Sequence, residues 1–289
     1  MKNKRILFYC DAHIGDLIIF FPFIKRMMEC YPENEYFHSF FTFDATLLDA
    51  LPGIKLYGVK EARNYNFAEF DITIPTWLVP WREGDFMDHI YMSFFDHVHY
   101  YFKKICQMHN LHVPIDINTT GQDFDFKYLL KDKYEVIDNL PEKKRIMFFN
   151  QECKSGQTDN EPWLEQIVDL ARKRPDIDFI YTNKEHANIT MPSNVIYSPE
   201  LHCHQGCDIY HNSFLSTKCQ ILVGRVSGPF IATWHSLNVN EINKTLICQH
   251  DTNYSLFYNQ RLYKAKHRAC ESTWATFAEL TDILNETSF

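Results

Sequence analysis

Three ionisable residues crowd a short stretch near the start of the chain: Asp11, His13 and Asp16, with Gly15 just before the last. A carboxylate there can act as a general base, taking the proton of a hydroxyl as it attacks a bound electrophile. It can equally cap the exposed amides of a helix N-terminus, and the residues alone leave both roles open to Asp16. Asp11 and His13 read either as its supports or as polar residues of a solvated loop. Gly15 lets the backbone turn sharply without a Cβ clash.

Two later clusters offer the complementary chemistry, a seat for an anion. Lys154 and Ser155 stand in the polar run Asn150-Gln151-Glu152-Cys153-Lys154-Ser155-Gly156-Gln157. A lysine and a hydroxyl beside a strand end can neutralise phosphate charge, although a solvated loop explains the same residues. Arg225-Val226-Ser227-Gly228-Pro229 supplies a guanidinium, two small residues and a proline suited to a helix's first turn. The free amides of such a helix start can receive a diphosphate, and an ordinary helix capped by Ser227 is the plainer alternative.

Other chemistries find less support. His202, Cys203, His204 and Cys207 are metal-type ligands, but their spacing is not a standard zinc pattern, so no metal is expected. Nothing resembles an acyl-transfer nucleophile, and the glycine fingerprint of dinucleotide binding is absent.

The elements that must position these residues alternate between strand and helix. Ile6–Cys10 reads as a buried strand, and Leu17, Ile18, Phe21, Ile24, Met28 and Tyr31 follow at helical spacing. Pro22 predicts a kink or an irregular first turn. Strands are expected at 36–41, 54–59 and 70–74, a short helix at 45–51 and a long aromatic helix at 87–109. Weaker strand candidates lie at 114–118 and 124–126. The charged segment Lys131–Arg145 reads as an interdomain connection, after which the pattern restarts with a strand at 146–150 and a helix at 163–174. Strands at 177–182, 195–197, 220–224 and 245–249 and helices at 207–218 and 273–284 complete it, the last capped by Ser272 or Thr273. Alternation of this kind predicts mostly parallel sheets covered on both faces, in domains of residues 1–135 and 136–289. The final helix is available to pack back on the first domain.

Composition sets the outer bounds. The 289 residues are 45% apolar, enough for two ordinary cores, and 16% aromatic. A net charge of −8 argues against nucleic acid as a partner. No secretory signal is recognised, and the apolar run at 17–24 is too short to span a bilayer. Nine cysteines without a repeated spacing fit reduced thiols in a cytoplasm, where the Asn-x-Ser/Thr triplets would be chance matches. Lys2, Lys4 and Arg5 make a small basic patch that leaves peripheral contact with a membrane open.

In this order the motifs resemble the glycosyltransferases of family 9, the heptosyltransferases. The resemblance rests on Ile14-Gly15-Asp16 followed by Pro22, on the strand 146–150 with Lys154-Ser155 and Trp163, and on Ser227-Gly228-Pro229. It implies a GT-B fold, α/β with two Rossmann-like domains facing across a cleft. It also implies inverting transfer without a metal, from a nucleotide-sugar co-substrate to a glycan, lipid-linked glycan or protein hydroxyl. Asp16 would be the general base, Lys154 would meet the donor diphosphate, and the Ser227-Gly228 amides would contact the nucleotide or its phosphates. The family's usual Asn-Asp before Ser-Gly-Pro and histidine after it are replaced here by Arg225-Val226 and Phe230-Ile231. Arg225 could instead bring positive charge to the diphosphate. The replacements keep two alternatives in view: a GT-B-shaped nucleotide-binding or scaffold protein without activity, and a GT-B-like transferase of a non-sugar group.

Overall fold

In the computed structural model, residues 3–10, 14–40, 45–57, 66–76, 94–114, 123–154, 158–185, 189–202, 208–250 and 263–286 are described. The opening stretch forms β1 (Arg5–Cys10), in which Ile6, Leu7, Phe8 and Cys10 are buried. Such a continuous apolar strand suits a parallel sheet covered on both faces. Helix α1 (Ile14–Cys30) follows and runs through Pro22, burying apolar residues from Leu17 to Met27. Next come β2 (Glu35–Phe40), a 3₁₀ turn at Ala45–Ala50, β3 (Lys55–Leu56) and β4 (Ile72–Pro75). Helix α2 (Phe94–Met108) then lays the Phe102 ring 5.4 Å from that of Phe23 on α1.

The pattern restarts with α3 (Phe126–Leu130), α4 (Lys133–Asp138), β5 (Arg145–Phe149), α5 (Leu164–Lys173) and β6 (Asp178–Tyr181). It continues with β7 (Val195–Tyr197), α6 (Ser198–His202), α7 (Ile209–Leu215), β8 (Ile221–Arg225) and α8 (Gly228–Ile231). It closes with α9 (Ser236–Val239), β9 (Thr245–Gln249), β10 (Lys266–Cys270) and α10 (Thr273–Glu286).

The described residues divide into two compact units, one within Met1–Phe124 and one made of Asp125–Asn253 and Tyr263–Phe289. The first holds a four-stranded sheet in the order β3-β2-β1-β4, the second a six-stranded sheet in the order β10-β9-β8-β5-β6-β7. Every pairing is parallel. The same logic builds both sheets. The first strand of each unit, β1 or β5, lies inside the sheet, the next two strands step away on one side, and the fourth, β4 or β8, lies on the other. The order reverses between β1 and β4 and between β5 and β8, where open α/β sheets place their ligands at the strands' carboxyl ends. The second core centres on Phe148, whose ring lies 6.2 Å from Phe179, 6.0 Å from Phe277 and 6.5 Å from Trp163.

Several expectations change. The segment 124–126 is not a strand: Phe126 opens α3, because the Asp125 side chain accepts a hydrogen bond from the Tyr128 amide at 3.2 Å and starts a helix. The charged segment is not a free connection, since it carries α4 and belongs to the second unit, which begins at Asp125 rather than at 136. The final helix buries Phe277, Leu280 and Leu284 in the core of its own unit. The strand β10 has no counterpart in the sequence reading. Of the other expected segments, 87–93 and 115–118 lie outside the described residues.

Candidate active site

The first half-site forms where β1 ends. Gly15 is buried and Asp16 is partly buried in the first turn of α1, at the reversal between β1 and β4. Beside it the sheet's carboxyl edge is closed by a polar group that the sequence reading missed. The Thr76 amide and hydroxyl both donate to the Tyr9 carbonyl, at 2.8 and 3.1 Å, and the hydroxyl lies 3.4 Å from His38 Nε2. His38 is fully buried, and burial pushes its imidazole down to about 3, so it is neutral at any ordinary pH. A lone histidine in the strand Glu35–Phe40 gave no signal of this, because Thr76 is 38 positions away. Asp11 and His13 lie outside the described residues.

The second half-site forms where β5 and β8 end. Asn150, directly after β5, is buried and ties two strand ends together. Its Nδ2 donates to the Asn183 carbonyl at 2.8 Å and to Glu185 Oε1 at 2.7 Å, and its Oδ1 accepts the Asn183 amide at 2.9 Å. The other Glu185 oxygen accepts the Leu164 amide at 2.8 Å, so the start of α5 already has its carboxylate. The loop then turns through Cys153, whose amide is held by Asn160 Oδ1 at 2.8 Å and whose thiol donates to the Val226 carbonyl at 3.3 Å. Lys154 follows and is exposed, while Ser155 lies outside the described residues.

Arg225, the last residue of β8, is 1% exposed. Its Nη1 donates to the carbonyls of Asn150 at 3.0 Å and Gln151 at 3.5 Å, its Nη2 donates to the carbonyl of Glu161, and its Cζ lies 4.5 Å from the centre of the Trp163 ring. Burial lowers its pKa, opposed by the nearby Glu185 and Asp159 carboxylates. The guanidinium thus points into the loop's underside instead of outward, the direction a diphosphate contact requires. Ser227 is the residue that starts α8, as expected, but its side chain makes no cap, and its buried Oγ has no partner among the described residues. Gly228 is the first residue of that helix and is partly exposed.

Lys154, Arg225, Ser227 and Gly228 are therefore gathered at one sheet edge of the second unit, and Gly15 and Asp16 at the matching edge of the first. His202 is buried with its ring 5.1 Å from that of His211. Cys203, His204 and Cys207 lie outside the described residues, and among the described residues no group of three or more His, Cys, Asp or Glu could hold a metal. No helix of the described residues is long and apolar enough to cross a membrane.

Two parallel-sheet units of Rossmann order, each with polar residues at its reversal point, define an α/β fold of the GT-B type. Solved structures share it over nearly the whole chain. The glycosyl transferase family 9 protein from Veillonella parvula DSM 2008 matches with a TM-score of 0.52 at 13% identity, over 99% of this chain and 90% of that one. The E. coli heptosyltransferase WaaC with ADP matches with a TM-score of 0.56 at 10% identity, over 98% and 99%. E. coli ADP-heptose lps heptosyltransferase II matches with a TM-score of 0.53 at 13% identity, also over 98% and 99%. No family model and no curated protein matches the sequence.

Proposed function

We propose that the protein is a glycosyltransferase that moves a sugar from a nucleoside-diphosphate donor to a hydroxyl of a glycan, lipid-linked glycan or protein. The observation that carries this is the position of Asp16, in the first turn of α1 at the reversal point of a sheet whose whole-chain fold family 9 structures share. The E. coli heptosyltransferase WaaC was solved with ADP and, in a further similar structure, with ADP-2-deoxy-2-fluoro heptose, which makes an ADP-sugar the first donor to try. The Asp16 carboxylate accepts the acceptor hydroxyl's proton as that oxygen forms a bond to the anomeric carbon. The bond from that carbon to the diphosphate oxygen breaks on the opposite face, so configuration inverts. Lys154 and the Ser227 and Gly228 amides face the charge that grows on the leaving diphosphate. No residue in this scheme requires a metal.

The test is D16N assayed beside the wild type. The amide keeps the size and loses the base, so ADP affinity should stay within about twofold while turnover falls roughly 10²- to 10⁴-fold. Retained turnover overturns the assignment. A second reading, a nucleotide-binding or scaffold protein without transfer, is favoured by Arg225, whose buried guanidinium serves loop carbonyls. A thermal-shift series with ADP, UDP and GDP tests binding. Stabilisation by one of them without transfer from its sugar conjugates supports the second reading, and no stabilisation by any supports the scaffold form of it.

A further inference from the structure

We infer that Arg225 is a positioning residue that staples both ends of the loop after β5 and so sets where Lys154 stands, an inference that rests on the donor role proposed for Lys154. The loop enters at Asn150 and Gln151 and leaves at Glu161, and the carbonyls of all three turn inward to the same guanidinium. Buried and partly buried carbonyls need donors, and this group supplies all three from one rigid plane at the end of the neighbouring strand. The Trp163 ring covers its face, with Cζ 4.5 Å from the ring centre, and the Trp163 indole is itself fixed by donating to Thr273 Oγ1 at 3.0 Å. A second tie comes from the same turn, where the Cys153 thiol reaches the Val226 carbonyl at 3.3 Å. Lys154 is the next residue and is exposed. The strand β8 thus holds the loop twice, through Arg225 and through the residue after it.

This explains why an arginine stands at that position. A lysine keeps the charge but cannot hold three separate carbonyls in one plane, and a glutamine keeps two donors without the charge. The deciding measurements are hydrogen exchange and ADP binding in the full-length wild type, R225K and R225Q. The expected result in both variants is at least tenfold faster exchange at residues 151–154 and 158–161, with β5 and β6 within twofold of wild type. ADP affinity should fall at least tenfold with it, and donor KM should rise more than kcat falls. A merely structural arginine would shift the melting temperature and leave that split unmoved. Unchanged loop exchange in R225K overturns the staple, and faster loop exchange with unchanged ADP affinity overturns its link to Lys154. If R225Q does not fold, R225K alone decides. Failure of the wild type to bind ADP, UDP or GDP refutes the donor role and the Lys154 link with it, while the exchange data still decide the staple.

Discussion

A methyl group at Gly224 would lie 2.2 Å from Phe230 Cγ and 2.3 Å from a second atom of that ring. The ring is fully buried and packed between Phe149 and Trp234, at 5.6 and 5.9 Å, so it has nowhere to retreat. G224A should therefore destabilise the second unit by about 3 kcal/mol, at the upper end of ordinary overpacking costs. Pairing it with F230L should recover part of that loss in urea unfolding. A G224A protein as stable as wild type would mean that the ring moves freely. The glycine matters to the site because β8 delivers Arg225 one residue later. Residue by residue, the candidate site was legible in the sequence as far as its chemistry is local. Asp16, Lys154 and Ser227 sit in short motifs whose grammar names a strand end and a helix start. Arg225 was legible only as a charge. Which way a guanidinium points depends on carbonyls 64 to 75 positions earlier in the chain, and no local pattern carries that.

Among the elements, α10 shows how the second unit fixes a helix start. Ser272 is the cap, its Oγ accepting the Ala275 amide at 3.2 Å, one of the two residues expected for the role. Asp159, in the loop after β5, accepts both the Thr273 amide at 2.8 Å and the Thr273 hydroxyl. Burial works to raise the Asp159 pKa, but these hydrogen bonds outweigh it and hold the carboxyl below its ordinary value. The unfolded chain therefore takes up this proton first as pH falls. The contribution of Asp159 is present above the ordinary carboxylate value of about 4 and is lost as pH falls from there through its lowered folded-state value. D159N should cost about 1–2 kcal/mol at pH 7, and the gap to wild type should be narrower at pH 3. A gap of the same size at both pH values would show that the charge plays no part. Elements with a strong local period were legible, as β1, α1, β5 and α5 show. The strand β10 was not, because Lys266, His267 and Arg268 give an edge strand that buries only its last residue. Helix α3 was misread because Phe124 and Phe126 alternate like a strand, and the capping Asp125 between them decides otherwise.

At the scale of the molecule, each unit holds a histidine that burial keeps neutral, His38 in the first and His235 in the second, and together these make the fold acid-sensitive. His38 lies inside the first unit beside Thr76. His235 lies inside the second, its Nε2 3.2 Å from both the Ser213 carbonyl and Asn238 Nδ2, its ring 5.1 Å from Phe126. Burial lowers each to about 3 from an ordinary 6.5. Between those values the unfolded chain binds the proton and the folded chain does not, so stability is fully present above about pH 6.5 and is lost as pH falls. Each histidine should remove about 1.4 kcal/mol per pH unit from the unit that holds it, or about 2 kcal/mol between pH 6.5 and 5. Because the units need not unfold together, each should be followed by its own probe. Hydrogen exchange of β1 reports the first unit and that of β5 the second. Replacing His38 by glutamine should flatten the pH dependence of β1 protection and leave that of β5 alone, and H235Q should do the reverse. If instead either variant flattens both, the two units unfold as one cooperative body. If neither flattens anything, the acid sensitivity lies in other groups and the buried histidines are not its source.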